Sequence, residues 1–186
     1  MIKITSGIAK GIMLESLKGL DARPTQGRVR EAIFSILGSD VAGKRFLDLF
    51  AGNGTIGIEA LSRGAEYCCF VDKYRPCCEI IKRNLIKARL EEKAAVLSLN
   101  VSKAIEVLEE KGEQFDIIFT DAPYGKGLTQ ETLQRLSESS IIRPETIILT
   151  ETAKSETLAE SYAQSLNLYD KRIWGDTCVW FYRCGE

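Results

Sequence analysis

The sequence contains no histidine. That removes Ser-His-Asp and Cys-His arrangements and any histidine general base, so acid–base work falls to carboxylates, lysines or tyrosines. None of the six cysteines, Cys68, Cys69, Cys77, Cys78, Cys178 and Cys184, forms a Cys-x-x-Cys pair, and the usual zinc spacings are absent. Adjacent cysteines on a strand point to opposite faces, so Cys68 and Cys69 do not easily ligate one metal. They read as small apolar packing residues in a reducing compartment, and no metal is expected. No apolar run approaches the roughly 18 residues of a membrane span. Residues Met1-Ile2-Lys3-Ile4-Thr5-Ser6-Gly7 lack a signal-peptide core. The expectation is a cytoplasmic protein with no membrane partner. Repeats, low-complexity tracts and long linkers are missing too.

What is present is ordinary in bulk and uneven in placement. A chain of 186 residues, 45% hydrophobic and 27% charged, is expected to fold as one globular domain, 1–186. The net charge is −1. Residues 1–45, however, hold eight Lys or Arg against four Asp or Glu, and the remainder holds 17 against 22. The local excess, which includes Lys3, Lys10, Lys18, Arg23, Arg28 and Arg30, can form a phosphate-facing patch. A solvated surface with chance asymmetry is the plainer reading of the same residues.

Residues 2–5 and 8–14 alternate apolar and polar about Ser6-Gly7, which predicts a hairpin. Leu20–Thr25 reads as an extended loop, because Pro24 disfavours helix at Arg23. Val29, Ile33, Ile36 and Leu37 fall at helical spacing, with Phe34 beside them. From 46 onward the pattern alternates. Strands are expected at 46–50, 67–72, 95–99, 115–120 and 146–151, separated by helices at about 55–63, 75–90, 102–111 and 128–138. Short apolar runs between helices imply a parallel sheet covered on both faces. Leu168–Trp174 and Cys178–Arg183, joined by Gly175-Asp176-Thr177, read as an antiparallel hairpin. The expected fold is a doubly wound α/β core over 46–186, mostly parallel with a reversed final strand, carrying a hairpin-and-helix extension over 1–45.

Two motifs carry chemistry. In Phe46-Leu47-Asp48-Leu49-Phe50-Ala51-Gly52-Asn53-Gly54, Gly52-x-Gly54-x-x-Gly57 meets the dinucleotide fingerprint, and Asp72 lies 20 residues beyond Gly52. NAD is therefore one reading. A pyrophosphate would not welcome Asp48, whereas a sulfonium or α-amino group would. S-adenosylmethionine fits better. Asp48 can attract its ammonium, Gly52 and Gly54 allow close backbone approach, Asp72 can accept from ribose hydroxyls, and Asn100 can meet the adenine edge. All three polar residues stand at carboxyl ends of expected strands. The expected cofactor set is Asp48, Phe50, Ala51, Gly52, Asn53, Gly54, Asp72, Lys73, Asn100 and Val101. The plainer reading of Asp48 is a turn cap, and of Asn100 an ordinary strand-end residue.

The second motif is Asp121-Ala122-Pro123-Tyr124, at the end of the run Phe115–Thr120. An exocyclic amine is a weak nucleophile because its lone pair is delocalised into the ring. A site for it must accept its hydrogens and aim the lone pair. Asp121 and the Ala122 carbonyl are the acceptors, Pro123 fixes the chain, and Tyr124 stacks on the base. A base in folded RNA must be unpaired or splayed out to enter. Alone, the tetrapeptide also fits a strand end with a turn-forming Asp and Pro.

These residues resemble the bacterial 16S ribosomal RNA guanine-N2 methyltransferases over nearly the whole chain. The resemblance runs through Ile2–Gly7 and Lys10-Gly11, then Arg23-Pro24-Thr25 and Arg28-Val29-Arg30-Glu31-Ala32-Ile33-Phe34, then Asp48–Ala65. It implies a seven-stranded class I methyltransferase fold, S-adenosylmethionine as donor, and a guanine in the 16S rRNA of the small ribosomal subunit or its assembly intermediate. With the basic excess, it places Lys10, Arg23, Thr25, Arg28 and Arg30 toward RNA. The sequence departs from the family at Ala122, where a second proline is usual, at Asn100, where Asp is usual, and at Gln26-Gly27. Other readings stay open: adenine-N6 methylation of DNA or RNA, and a non-catalytic RNA-binding assembly factor.

Overall fold

A computed structural model describes residues 2–17, 24–123, 125, 127–163 and 165–185, with residues 24–26 described by backbone alone. The N-terminal hairpin pairs β1 (Ile2–Lys3) with β2 (Met13–Leu14), with Ile2 opposite Leu14. Its ladder is shorter than the alternation predicts, because residues at its tip bond elsewhere. The backbone N–H groups of Thr5 and Ser6 donate to Glu59, and those of Ile8 and Ala9 donate to Ser62. Gly7, at φ +80°, is pressed so close that a Cβ would stand 1.7 Å from the Ser62 carbonyl oxygen.

Helix α1 (Pro24–Leu37) follows. Pro24 and Thr25 are helical, not loop: proline is well placed in a first turn, where its missing N–H costs nothing. Val29, Ile33, Phe34 and Leu37 are buried, but Ile36 is 42% exposed, so the apolar stripe is narrower than the spacing implies. From there the expected alternation holds: β3 (Arg45–Leu49), α2 (Thr55–Ser62), β4 (Tyr67–Val71), α3 (Arg75–Ala88), β5 (Ala94–Leu97), α4 (Val101–Glu110), β6 (Ile117–Thr120), α5 (Leu128–Ser137) and β7 (Ile147–Ala153). A short β8 (Ser161–Tyr162) precedes the hairpin β9 (Leu166–Trp174) and β10 (Thr177–Cys184).

The sheet order is β5-β4-β3-β6-β7-β10-β9-β8. β3 to β7 are parallel, and β10 enters antiparallel between β7 and β9. This is the class I, Rossmann-like arrangement, with two-residue β8 as an eighth strand beyond the seven expected. A two-residue strand carries no periodicity to read. Alternate residues feed two cores. Phe46, Cys68 and Phe70 pack with α1, α2 and α3; Leu47, Leu49, Cys69 and Val71 pack with α4 and α5. Cys68 and Cys69 thus face opposite ways, and all six cysteines are free and buried. Burial pushes the Cys69 thiol up to about 12 and the Cys77 thiol to about 11, so both stay neutral.

The hairpin and α1 belong to the first core: Ile4, Ala9, Leu14, Val29, Ile33 and Phe34 pack with α2 and the sheet. A buried polar cluster locks the same joint. Glu59, fully buried on α2, accepts from the Thr5 amide at 3.0 Å, the Thr5 hydroxyl at 2.7 Å and Arg63 Nε at 2.9 Å. Arg30 Nε lies 3.6 Å from Glu59 Oε2, which also takes the Thr5 amide, and Arg30 donates to the Lys3 carbonyl at 2.8 Å. Asn84 on α3 grips the other side, donating from Nδ2 to the Glu15 and Asn53 carbonyls at 3.0 Å each.

Candidate active site

A cavity of about 990 Å³ opens at the carboxyl ends of β3, β4, β6 and β7, with α1 and the hairpin as its far wall. That is the upper end of the usual range for small-molecule sites. Of the expected cofactor set, every residue except Gly54 lines it. Gly54 stands behind the wall as the N-cap of α2, its N–H donating to the Ala51 carbonyl at 2.7 Å.

The loop after β3 is held in a costly conformation. Phe50 has φ 58°, the left-handed region that a non-glycine residue occupies at about 1–3 kcal/mol. The surrounding bonds compensate. Gly52 N–H donates to Asp72 Oδ2 at 2.9 Å, Ala51 N–H to the Val71 carbonyl at 3.0 Å, and Asn84 holds the Asn53 carbonyl. The cofactor loop is thereby fastened to the end of β4 and to α3. The other Asp72 oxygen accepts from Tyr74 N–H at 2.8 Å.

Asp48 is 2% exposed, and its Oδ2 accepts from the Gly57 N–H at 2.9 Å. Burial raises its pKa well above the usual carboxylate range, the Gly57 bond pulls the other way, and Asp121 and Asp72 raise it further. The turn-cap reading of Asp48 is therefore partly realised, but the residue also faces the cavity. Its bond, with that of Thr55 N–H to Asn53 Oδ1 at 3.2 Å, uses amides of the first turn of α2. A dinucleotide pyrophosphate needs just those donors. The structure thus disfavours the NAD reading and suits a cation beside Asp48.

The raised pKa has a sign that stability measurements can read. The folded state holds a proton on Asp48 above the ordinary value of 3.8, so the chain loses stability as pH rises through that window. Asp48→Asn keeps an acceptor for Gly57 and removes the titration. Its melting temperature is expected to match the parent below the ordinary carboxylate range and to exceed it above that range. A constant difference across that range would show that Asp48 is ionised throughout.

Asn100 is the N-cap of α4, its Oδ1 accepting from Lys103 N–H at 2.9 Å. The ordinary role and the cavity position therefore coincide. Val101, the first residue of α4, lines the same wall. Asp121 and Pro123 line the cavity beyond the cofactor loop, and Ala122 is buried beneath them. Tyr124 lies outside the described residues.

The basic candidates divide. Lys10 and Arg28 are exposed and outside the cavity. Arg23 and the Thr25 side chain lie outside the described residues. Arg30 is 5% exposed and engaged with Glu59 and Lys3, so an open phosphate contact at Arg30 is not what the structure presents. Burial lowers its pKa, and Glu59 opposes the shift. Sequence reasoning missed Glu31 and Glu151, both in the cavity wall; Lys3, counted in the basic excess, lines it too. Glu151 follows the strand-end rule that found Asp48 and Asp121, and so could have been found by it.

With this geometry in view, the comparisons with known proteins are informative. A family model described as "Conserved hypothetical protein 95" matches residues 2–183. The Bacillus subtilis (strain 168) protein named "Putative rRNA methyltransferase YlbH" is 34% identical over 182 residues, covering 98% of each chain. "Ribosomal RNA small subunit methyltransferase D" of Escherichia coli (strain K12) is 30% identical, covering 98% of this chain and 89% of that one. The solved structure of "Putative methyltransferase yhhF from Escherichia coli" superposes with a TM-score of 0.86 at 30% identity, covering 99% of this chain and 98% of that chain.

Proposed function

The chain belongs to the Conserved hypothetical protein 95 family, and on that premise we propose that it transfers a methyl group from S-adenosylmethionine to the exocyclic N2 of a guanine in 16S rRNA. The observation that carries the reading is one cavity with two differently equipped halves. Asp48, Asp72 and Asn100 line one part, and Asp121 and Pro123 line another. Two of the relatives carry names of ribosomal RNA methyltransferases, one of them as putative, and both are close in length to this chain.

S-adenosylmethionine, when bound, supplies an electrophilic methyl group on a sulfonium. The residues present fit it. Asp48 supplies a buried carboxylate for its positive end, and cation binding there favours the ionised form that burial otherwise opposes. Asp72 retains acceptor capacity for ribose hydroxyls, since each of its oxygens can take a second bond. Asn100 Oδ1, committed to the α4 cap, can still accept once more at the adenine edge, while Nδ2 donates. The stability variant Asp48→Asn should therefore bind donor about 10-fold more weakly, the opposite sign to its effect on melting.

On the acceptor side, Asp121 accepts from the N2 amine and stabilises the positive charge that develops on nitrogen as the new bond forms. Asp121 or water then takes the released proton. Ala122, Pro123 and Tyr124 complete the site, the Ala122 carbonyl as second acceptor and Tyr124 as stacking surface.

Lys10, Arg23, Thr25 and Arg28 supply the RNA-facing surface, and of these Lys10 and Arg28 are exposed. Residues 1–45 and 46–186 act as one domain, because the extension shares the core and walls the cavity. Reversing charge at Lys10 and Arg28 together should weaken binding to small-subunit particles, and the deficit should shrink as salt rises. Equal affinity of parent and variant at low salt, in a filter or sedimentation assay, removes both residues from the contact.

The test of the activity is tritiated S-adenosylmethionine with undermodified small-subunit particles, free rRNA and DNA in parallel. Label in the particles or rRNA is expected. Label in DNA alone would support adenine-N6 chemistry on DNA instead. Binding to particles without donor binding would support the assembly-factor reading.

A further inference from the structure

A second carboxylate, Glu151, stands beside Asp121 in the cavity wall. Thr120 pairs with Thr150 in the parallel β6–β7 ladder, so Asp121 and Glu151 are the next positions on neighbouring strands. Adjacent strands run about 4.8 Å apart. Ile117 and Phe119 on β6, and Ile147 and Leu149 on β7, enter the core beneath α1, whereas Ile118 and Ile148 enter the other. Continuing that alternation puts positions 121 and 151 on the α1 side together. Both line the cavity, as do Gly27 and Glu31 of α1. Glu151 is 6% exposed. The cavity wall therefore carries a buried carboxylate next to the one assigned to the amine.

We propose that Glu151 selects guanine by accepting the N1–H of the target base while Asp121 accepts from its N2 amine. The inference rests on the reading of Asp121 as the amine-holding group and goes beyond it. An ionised carboxylate only accepts hydrogen bonds. The Watson–Crick edge of guanine offers two neighbouring donors, N1–H and the N2 amine. Adenine offers its amine beside a bare N1 lone pair. Side-by-side carboxylates match the first edge and set lone pair against lone pair on the second. The tetrapeptide serves either amine, so the discrimination has to come from a group beside it. A site built to bond a donor rejects the analogue lacking it far more strongly than a hydrophobic pocket rejects a missing methylene.

The test uses small-subunit particles carrying guanosine or 2-aminopurine riboside at the methylated position. 2-Aminopurine keeps the reacting amine but has an acceptor at N1. The parent enzyme should lose about 100-fold or more in kcat/KM on 2-aminopurine. The two amines differ in intrinsic reactivity, so the decisive quantity is how the ratio changes with the enzyme. Glu151→Gln offers an amide N–H to N1 and should narrow the ratio by about 10-fold or more. Donor binding by calorimetry establishes that this variant is folded. An unchanged ratio in Glu151→Gln overturns the proposal. So does a parent enzyme that methylates both bases equally, whatever the variant does. If the parent leaves guanosine particles unlabelled, the underlying activity reading fails and the selection proposal falls with it.

Discussion

Replacing Asp121 with Ala lowers methyl transfer by about 10³-fold or more, while S-adenosylmethionine binds within about threefold of the parent affinity. The loss is large because the variant removes an acceptor aimed at the atom on which charge develops. Asp121 lines the cavity together with the cofactor loop, but the proposed mechanism sets it against the reacting amine. The proposal assigns donor affinity instead to Asp48, Asp72 and the loop that Gly52 and Asn84 fasten. Single-turnover labelling and calorimetry on the same preparation separate the two. Full activity in Asp121→Ala would remove the residue from the chemistry. A parallel loss of donor binding would make it a cofactor residue.

The second large effect is on stability. Glu59→Ala strips a buried guanidinium of its nearest charge and leaves the Thr5 and Ser6 amides without their acceptor. Breaking one side of a buried pair costs about 3–5 kcal/mol, against a total stability of about 5–15 kcal/mol. At this chain length the melting temperature should fall by about 10 °C. Glu59→Gln, which keeps an acceptor for the hairpin amides, should fall by less. Because Lys3 and Arg30 line the cavity, transfer to particles should suffer more than donor binding in folded Glu59→Ala. A loss below about 1 kcal/mol in denaturant titration would mean that the hairpin is not held this way.

Much of this was legible because it is written in period and punctuation. The alternation from Arg45 to Ala153 is a run of short apolar strands and helices that the structure reproduces, with ends shifted by a residue or two. Asp48, Asp72, Asn100 and Asp121 stand at strand ends, where a parallel sheet places ligand contacts whatever the tertiary detail. The rest needed three dimensions. Glu59 sits in the apolar helix Thr55–Ser62; Arg63 is its i,i+4 neighbour, but nothing in one dimension tells that Thr5 and Arg30 converge on it as well. Arg30 reads as surface charge because its partner is 29 residues away and on another element. The hairpin looked longer because alternation cannot reveal that its tip bonds to Ser62 and Glu59. Ile36 fits a helical repeat, but the buried stripe of α1 runs through Val29, Ile33, Phe34 and Leu37 and leaves Ile36 outside it.

The central claim is tested most directly by mapping methylated guanosine in rRNA from cells with and without the gene, by digestion and mass spectrometry. The account predicts one N2-methylguanosine in 16S rRNA that disappears with the gene and returns with the parent chain but not with Asp121→Ala. Identical guanosine methylation in both strains, or a lost methyl group on adenine, would contradict it.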